Sequence, residues 1–118
     1  MLASFLTRLR AGEIDFEETI TVINALYNYT PTRFVNGLTN TVTNEAGQNE
    51  GSCRIFAFAQ LNALSEADTL ACFGRFYREV LNDPTGTSHG NIRAFMRDGW
   101  AGICFDGQAL ASVDVSRE

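Results

Sequence analysis

The chain contains no lysine, so its nine basic residues are all arginine, set against fourteen acidic ones. A formal charge of −5 without a basic cluster excludes the phosphate neutralisation on which nucleic-acid binding depends. The same balance disfavours anionic membrane surfaces. Histidine occurs once, as His89, and the three cysteines, Cys53, Cys72 and Cys104, form no Cys-x-x-Cys pair. Odd in number and widely spaced, they suit free thiols in a reducing compartment better than a disulfide framework or a zinc site. Any metal would fall to carboxylates such as Glu45, Glu50 and Asp83, which lack the alternating spacing of a calcium loop. No metal and no cofactor is therefore expected. No apolar run is long enough for a membrane-spanning helix, and Arg8 and Arg10 interrupt the place where a secretory signal would continue. The expectation is a soluble chain with no Sec signal peptide.

What is present is apolar and aromatic. Of 118 residues, 45% are hydrophobic and nine are phenylalanine, enough for one domain with a core built largely on rings. Leu2, Phe5, Leu6 and Leu9 share the inner face of a first helix ending at Gly12. Asp15 is placed to cap a second, with Glu18 completing a capping-box pair and Phe16, Ile20, Ile23 and Tyr27 as its buried stripe. Pro31 stops it. Asn36-Gly37 then predicts a tight hairpin turn joining strands over 32–35 and 38–43. After a polar loop, Asn44 to Ser52, the segment from Cys53 to Ala63 is apolar nearly all round and reads as the central buried helix.

Ser65 opens a further helix through 81, with Leu70, Phe73, Tyr77, Val80 and Leu81 facing inward. Asp83-Pro84-Thr85-Gly86 is a turn, and a shorter helix presents Ile92, Phe95 and Met96 inward before Gly99. Trp100 to Phe105 reads as a last strand. The fold class is α+β: a single compact domain of about five helices around a buried central helix. A small antiparallel sheet, the hairpin plus one C-terminal strand, completes it. The domain is expected to span 1–108, with 109–118 frayed.

Several stretches carry a family resemblance: Ala25-Leu26-Tyr27, Pro31-Thr32-Arg33-Phe34, Asn36-Gly37, Asn44-Glu45-Ala46-Gly47, Asn49 through Cys53, and Ile55 through Leu61. Val80 to Pro84, Asn91 to Arg97 and Gly99-Trp100-Ala101-Gly102 continue it. Together they resemble the HopJ-type family of type III effector proteins of Gram-negative bacteria. The resemblance covers most of residues 1–110 and implies no established activity and no catalytic residues. It implies a protein cytoplasmic in the bacterium and exported by a type III system, with a host protein as partner.

Two classes of function follow from the residues. In the first, the polar loop and its surroundings form a non-catalytic binding module for a protein or small-molecule ligand. Its candidate contacts are Glu45, Gln48, Asn49, Glu50, Arg33, Arg54 and Trp100. Against this stands the commoner role of loop carboxylates and arginines as mutual structural clamps, of asparagines as turn formers and of aromatics as core. The alternative is a cysteine-dependent hydrolase or transferase. There Cys53, at the start of a helix whose dipole favours a thiolate, is the nucleophile and His89 the base. A free cysteine at such a place more often packs as a small apolar residue. If the polar loop holds a site, Glu50, Cys53 and His89 should converge on one concave surface, and the two readings separate on geometry: the enzyme requires the Cys53 sulfur open to solvent and in reach of the His89 imidazole.

Overall fold

A computed structural model of the protein describes residues 1–113. The described elements run α1 (Leu2–Arg10), α2 (Phe16–Leu26), β1 (Tyr27–Tyr29), β2 (Phe34–Asn36), β3 (Val42–Asn44), α3 (Glu50–Leu61), α4 (Glu66–Ala71), α5 (Arg75–Asn82), α6 (Gly90–Asp98), a 3₁₀ turn (Gly99–Gly102), β4 (Ile103–Phe105) and β5 (Leu110–Ser112). The α+β class and the central helix are as expected. Ile55, Phe56, Phe58 and Ala59 of α3 are fully buried, because a helix without a polar face has no side to turn to water. Phe56 meets the rings of Phe34, Phe73, Phe95 and Trp100, and Phe58 lies edge-on to Phe5 and Tyr27. The apolar area these rings hide is the main stabilising contribution of the core.

β2 is central in a three-stranded antiparallel sheet of order β3-β2-β4, so the hairpin plus one later strand is present. Its turn differs from the expectation. Phe34 pairs with Asn44, Val35 with Thr43 and Asn36 with Val42, which leaves residues 37–41 as the connection. Asn36 does not turn the chain; it ends β2, fully buried, with its carboxamide donating to the main-chain carbonyl and side chain of Asn91. Gly37, at φ +111°, sends its N–H to the Gly102 carbonyl instead of closing a two-residue turn. The two backbones approach so closely that a Cβ on Gly102 would lie 2.7 Å from Gly37 N. Long-range contact overrides the local preference of Asn-Gly.

The helix expected from 65 to 81 is two helices, which raises the count among the described residues to six. Gly74 breaks it at φ +57°, where any Cβ would collide with Asp15. Asp15 Oδ1 accepts from Phe16 N at 2.8 Å and from Arg75 N at 2.9 Å, so one carboxylate caps both α2 and α5. Glu18 does not complete the capping box by its side chain; its carboxylate pairs with Arg8 at 2.9 Å.

Two further expectations are corrected at the C-terminal end. Only Ile103–Phe105 of the stretch from Trp100 is strand, since 99–102 tighten into the 3₁₀ turn. Residues 109–113 do not fray. Ala109 and Leu110 are buried, and β5 pairs antiparallel with β1, Tyr29 opposite Leu110. For the same reason the helix expected to include Tyr27 stops at Leu26, where the chain extends to meet β5. The rest of the expected frayed tail, 114–118, lies outside the described residues. Among the described residues no helix is long and apolar enough to cross a membrane.

Candidate functional site

The polar loop runs from Asn44, which is fully buried at the end of β3, to Asn49 at the start of α3. Gln48 holds the loop in a turn, its N–H donating to the Glu45 carbonyl at 2.9 Å and its Oε1 accepting from Glu45 N at 3.1 Å. Asn49 stands in the left-handed region at φ 49° and leaves α3 without a side-chain cap. Its carboxamide donates at 2.7 Å to Asn44 Oδ1. His89 takes the same conformation at the start of α6, φ 56°, and likewise leaves its helix uncapped. Its Nε2 lies 2.8 Å from Glu79 Oε1, and its ring rests 5.3 Å from that of Phe76.

The two helix starts face each other across a cleft of about 270 Å³. Phe16, Phe73 and Phe76 provide its apolar wall, and Asn49, Ser52, His89 and Asn91 its polar one. A row of rings beside donor groups can hold a ligand that has an apolar body and acceptor atoms. Behind the polar wall, Asn36, Asn44 and Asn91 are joined by carboxamide hydrogen bonds, all three buried.

The candidate residues disperse around this arrangement. Cys53 does not line the cleft; it is 1% exposed, with Sγ 3.5 Å from the Thr32 carbonyl. Burial pushes its thiol above the ordinary range. Glu50 turns its carboxylate to the Tyr29 hydroxyl, which donates at 3.1 Å. Burial and this anionic neighbourhood raise the Tyr29 phenol. The convergence of Glu50, Cys53 and His89 is therefore absent. α3 begins at Glu50, three residues earlier than the sequence reading placed it, which carries Cys53 a turn into the helix and toward the core.

Arg54 lies over the Tyr29 ring, 3.9 Å from its centroid, and donates to Asn24. Arg33 sits between Glu45 at 3.4 Å and Asp106 at 3.3 Å, which hold its guanidinium charged. Trp100 donates from Nε1 to the Leu64 carbonyl and packs on Phe56 and Phe95. It borders a separate hollow with Ala59, Gln60 and Ala63. Of the candidates, Asn49 and His89 reach the cleft. Among the described residues, no group of three or more His, Cys, Asp or Glu side chains is gathered as metal ligands.

The sequence reading missed the buried asparagines and the three-ring wall. A signal existed. Asn36 shares the inward face of β2 with Phe34, two residues away, and Asn91 precedes Ile92 in an inward-facing run. A carboxamide where an apolar side chain belongs implies a buried partner.

A family model described as HopJ type III effector protein matches residues 2–110. The chain is also similar to a solved structure described as the crystal structure of unknown function protein VPA0580. The two are 49% identical over 95% of this chain and 93% of that one, with a TM-score of 0.89. No curated protein matches.

Proposed function

The chain belongs to the HopJ family, and on that premise we propose that it is a non-catalytic binding module whose recognition site is the cleft between the starts of α3 and α6. One observation carries this reading. The cleft unites Asn49 of the polar loop and His89 with Phe16, Phe73 and Phe76, while the Cys53 sulfur faces the core. A thiol that is buried, raised and unbonded to the imidazole is not an activated nucleophile. The arrangement instead favours a ligand, or an anchoring side chain of a partner, with an apolar planar body and acceptor atoms at one end. Phe16 lies against Gly51, where a Cβ would stand 2.7 Å from the ring, so this wall is closely fitted to α3.

Benzoate and benzamide are suitable probes because each combines a planar ring with acceptors. Titration followed by amide chemical shifts should move Ser52, Gly90 and Asn91 saturably, and Phe76→Ala should remove the effect. Absence of saturable shifts at millimolar probe would refute the reading. The family's description supports delivery through a type III system, with a host protein as the partner. A translocation reporter fused to the full chain tests this; reporter activity that persists in a secretion-deficient strain would argue against it.

A further inference from the structure

Asn36 is followed by glycine, and no other asparagine of the chain is. In that pair an asparagine loses its amide most readily, because glycine has no side chain to obstruct attack by its main-chain nitrogen. The reaction consumes only water. The Gly37 nitrogen gives up its proton and bonds to Asn36 Cγ, while the Cγ–Nδ2 bond breaks and Nδ2 leaves with that proton as ammonia. Water then opens the five-membered imide at one of its two carbonyls, leaving aspartate or isoaspartate.

The fold opposes each of these steps. The attacking nitrogen donates to the Gly102 carbonyl at 2.9 Å. The leaving amide donates to the main-chain carbonyl and Oδ1 of Asn91, at 2.8 and 3.0 Å. Asn36 is fixed in the central strand, opposite Val42 on one side and Ile103 on the other, so Gly37 N is not free to swing onto Cγ. Both residues are buried, Asn36 fully, away from the water that ring opening consumes.

Neither product fits the place that Asn36 occupies. Aspartate would set a carboxylate, which has no donor, against two oxygens of Asn91 as an unpaired buried charge. Isoaspartate would lengthen the main chain by one carbon and disturb the register of β2 against both of its neighbours. We propose that Asn36 is a modification site that opens only when the chain unfolds. Native packing locks the carboxamide; unfolding allows its conversion to aspartate or isoaspartate, after which the native fold is not recovered. Persistence of the protein is then governed by a rate, because long excursions to the unfolded state remove molecules from the equilibrium.

The test holds the full chain at mildly alkaline pH, thiols reduced, in native buffer and in guanidinium chloride above the unfolding transition. Peptide mapping by mass spectrometry follows the amide-to-acid mass gain at each asparagine. In denaturant Asn36 should convert ahead of every other asparagine. In native buffer its conversion should be about a hundredfold slower or more, the protection of a core strand that opens only with the whole fold. Gly37→Ala, compared in denaturant where it has no need to fold, should slow conversion about tenfold, since a Cβ obstructs the attack. On dilution from denaturant, recovery of near-ultraviolet circular dichroism should fall in step with Asn36 conversion. A sample unfolded at mildly acidic pH, where the Gly37 nitrogen keeps its proton, should refold in full. The proposal is overturned if Asn36 converts as fast in the native chain, if another asparagine leads in denaturant, or if converted chains refold. It is overturned too if refolding is lost while Asn36 stays intact, which would place the damage elsewhere, such as the exposed Asp106-Gly107 pair.

Discussion

Asn44, at the end of β3, and Asn91, in the first turn of α6, exchange two side-chain hydrogen bonds: Asn44 Nδ2 donates to Asn91 Oδ1 at 3.1 Å, and Asn91 Nδ2 to Asn44 Oδ1 at 2.9 Å. Asn49 adds a third contact, to Asn44 Oδ1, and Asn36 a fourth, to Asn91 Oδ1. The pair ties the polar loop to the start of α6 and so sets the distance between the two lips of the cleft. In a buried site carboxamides held by mutual hydrogen bonds favour one arrangement, because any other leaves donors unpaired; among the described residues the Asn36 Oδ1 of this network has no partner.

Asn44→Leu should therefore cost about 1–3 kcal/mol, the range for a buried polar group left without its partner. Asn91→Leu should cost a similar amount, and the double variant less than the sum of the two, since the second change removes the group orphaned by the first. Urea unfolding of the three variants measures this. Strict additivity would mean that the pair contributes no coupling.

Asp15 links stability to pH. Main-chain N–H donation from Arg75, then from Phe16, holds its carboxyl below the ordinary value of 3.8. The Arg75 side chain lowers Glu17 in the same way, and Arg97 lowers Asp98. A carboxyl depressed in the folded state contributes stability above its unfolded pKa, and that contribution disappears as pH falls through the folded value. Stability should hold near neutrality and decline below about pH 4. Asp15→Asn should shallow that decline, more visibly at low salt because the carboxylate is partly open to solvent. Urea midpoints across a pH series check it; an unchanged slope would exclude Asp15 as a contributor.

Phe58 is fully buried in α3 against Phe5 and Tyr27. Phe58→Ala should destabilise the protein by about 3–5 kcal/mol through lost transfer energy and the cavity left behind. A loss below about 1 kcal/mol would mean that α3 is not the centre of the core.

The three thiols should react in a fixed order. Cys104 is exposed, Cys53 is buried and raised, and Cys72 is buried and pushed up to about 12. Iodoacetamide at neutral pH should modify Cys104 first and the other two only on unfolding. Cys104→Ser should abolish native-state labelling by mass spectrometry, and His89→Ala should leave the Cys53 rate unchanged. Rapid labelling of Cys53 in the folded chain would restore the thiol chemistry.

The sequence by itself determined the parts that rest on local pattern. The inner face of α1, the all-apolar α3, the two strands around residues 34–44 and the family all follow from spacing and residue type over a few turns. The sequence could not reveal contacts between distant segments, and these decided the site. Whether Asn36 turns the chain or ends a strand depends on Asn91, 55 residues away. Whether residues 65–81 form one helix or two depends on Asp15 occupying the space that a side chain at 74 would need. The strand at 110–112 forms because Tyr27–Tyr29 leaves an edge for it. The site followed the same rule. Sequence could nominate Asn49 as a residue of the polar loop and His89 as the single histidine. Only the packing of α3, α5 and α6 brought them to a common cleft and turned Cys53 into the core, because side-chain direction is set by a helix's exact start and by what it packs against.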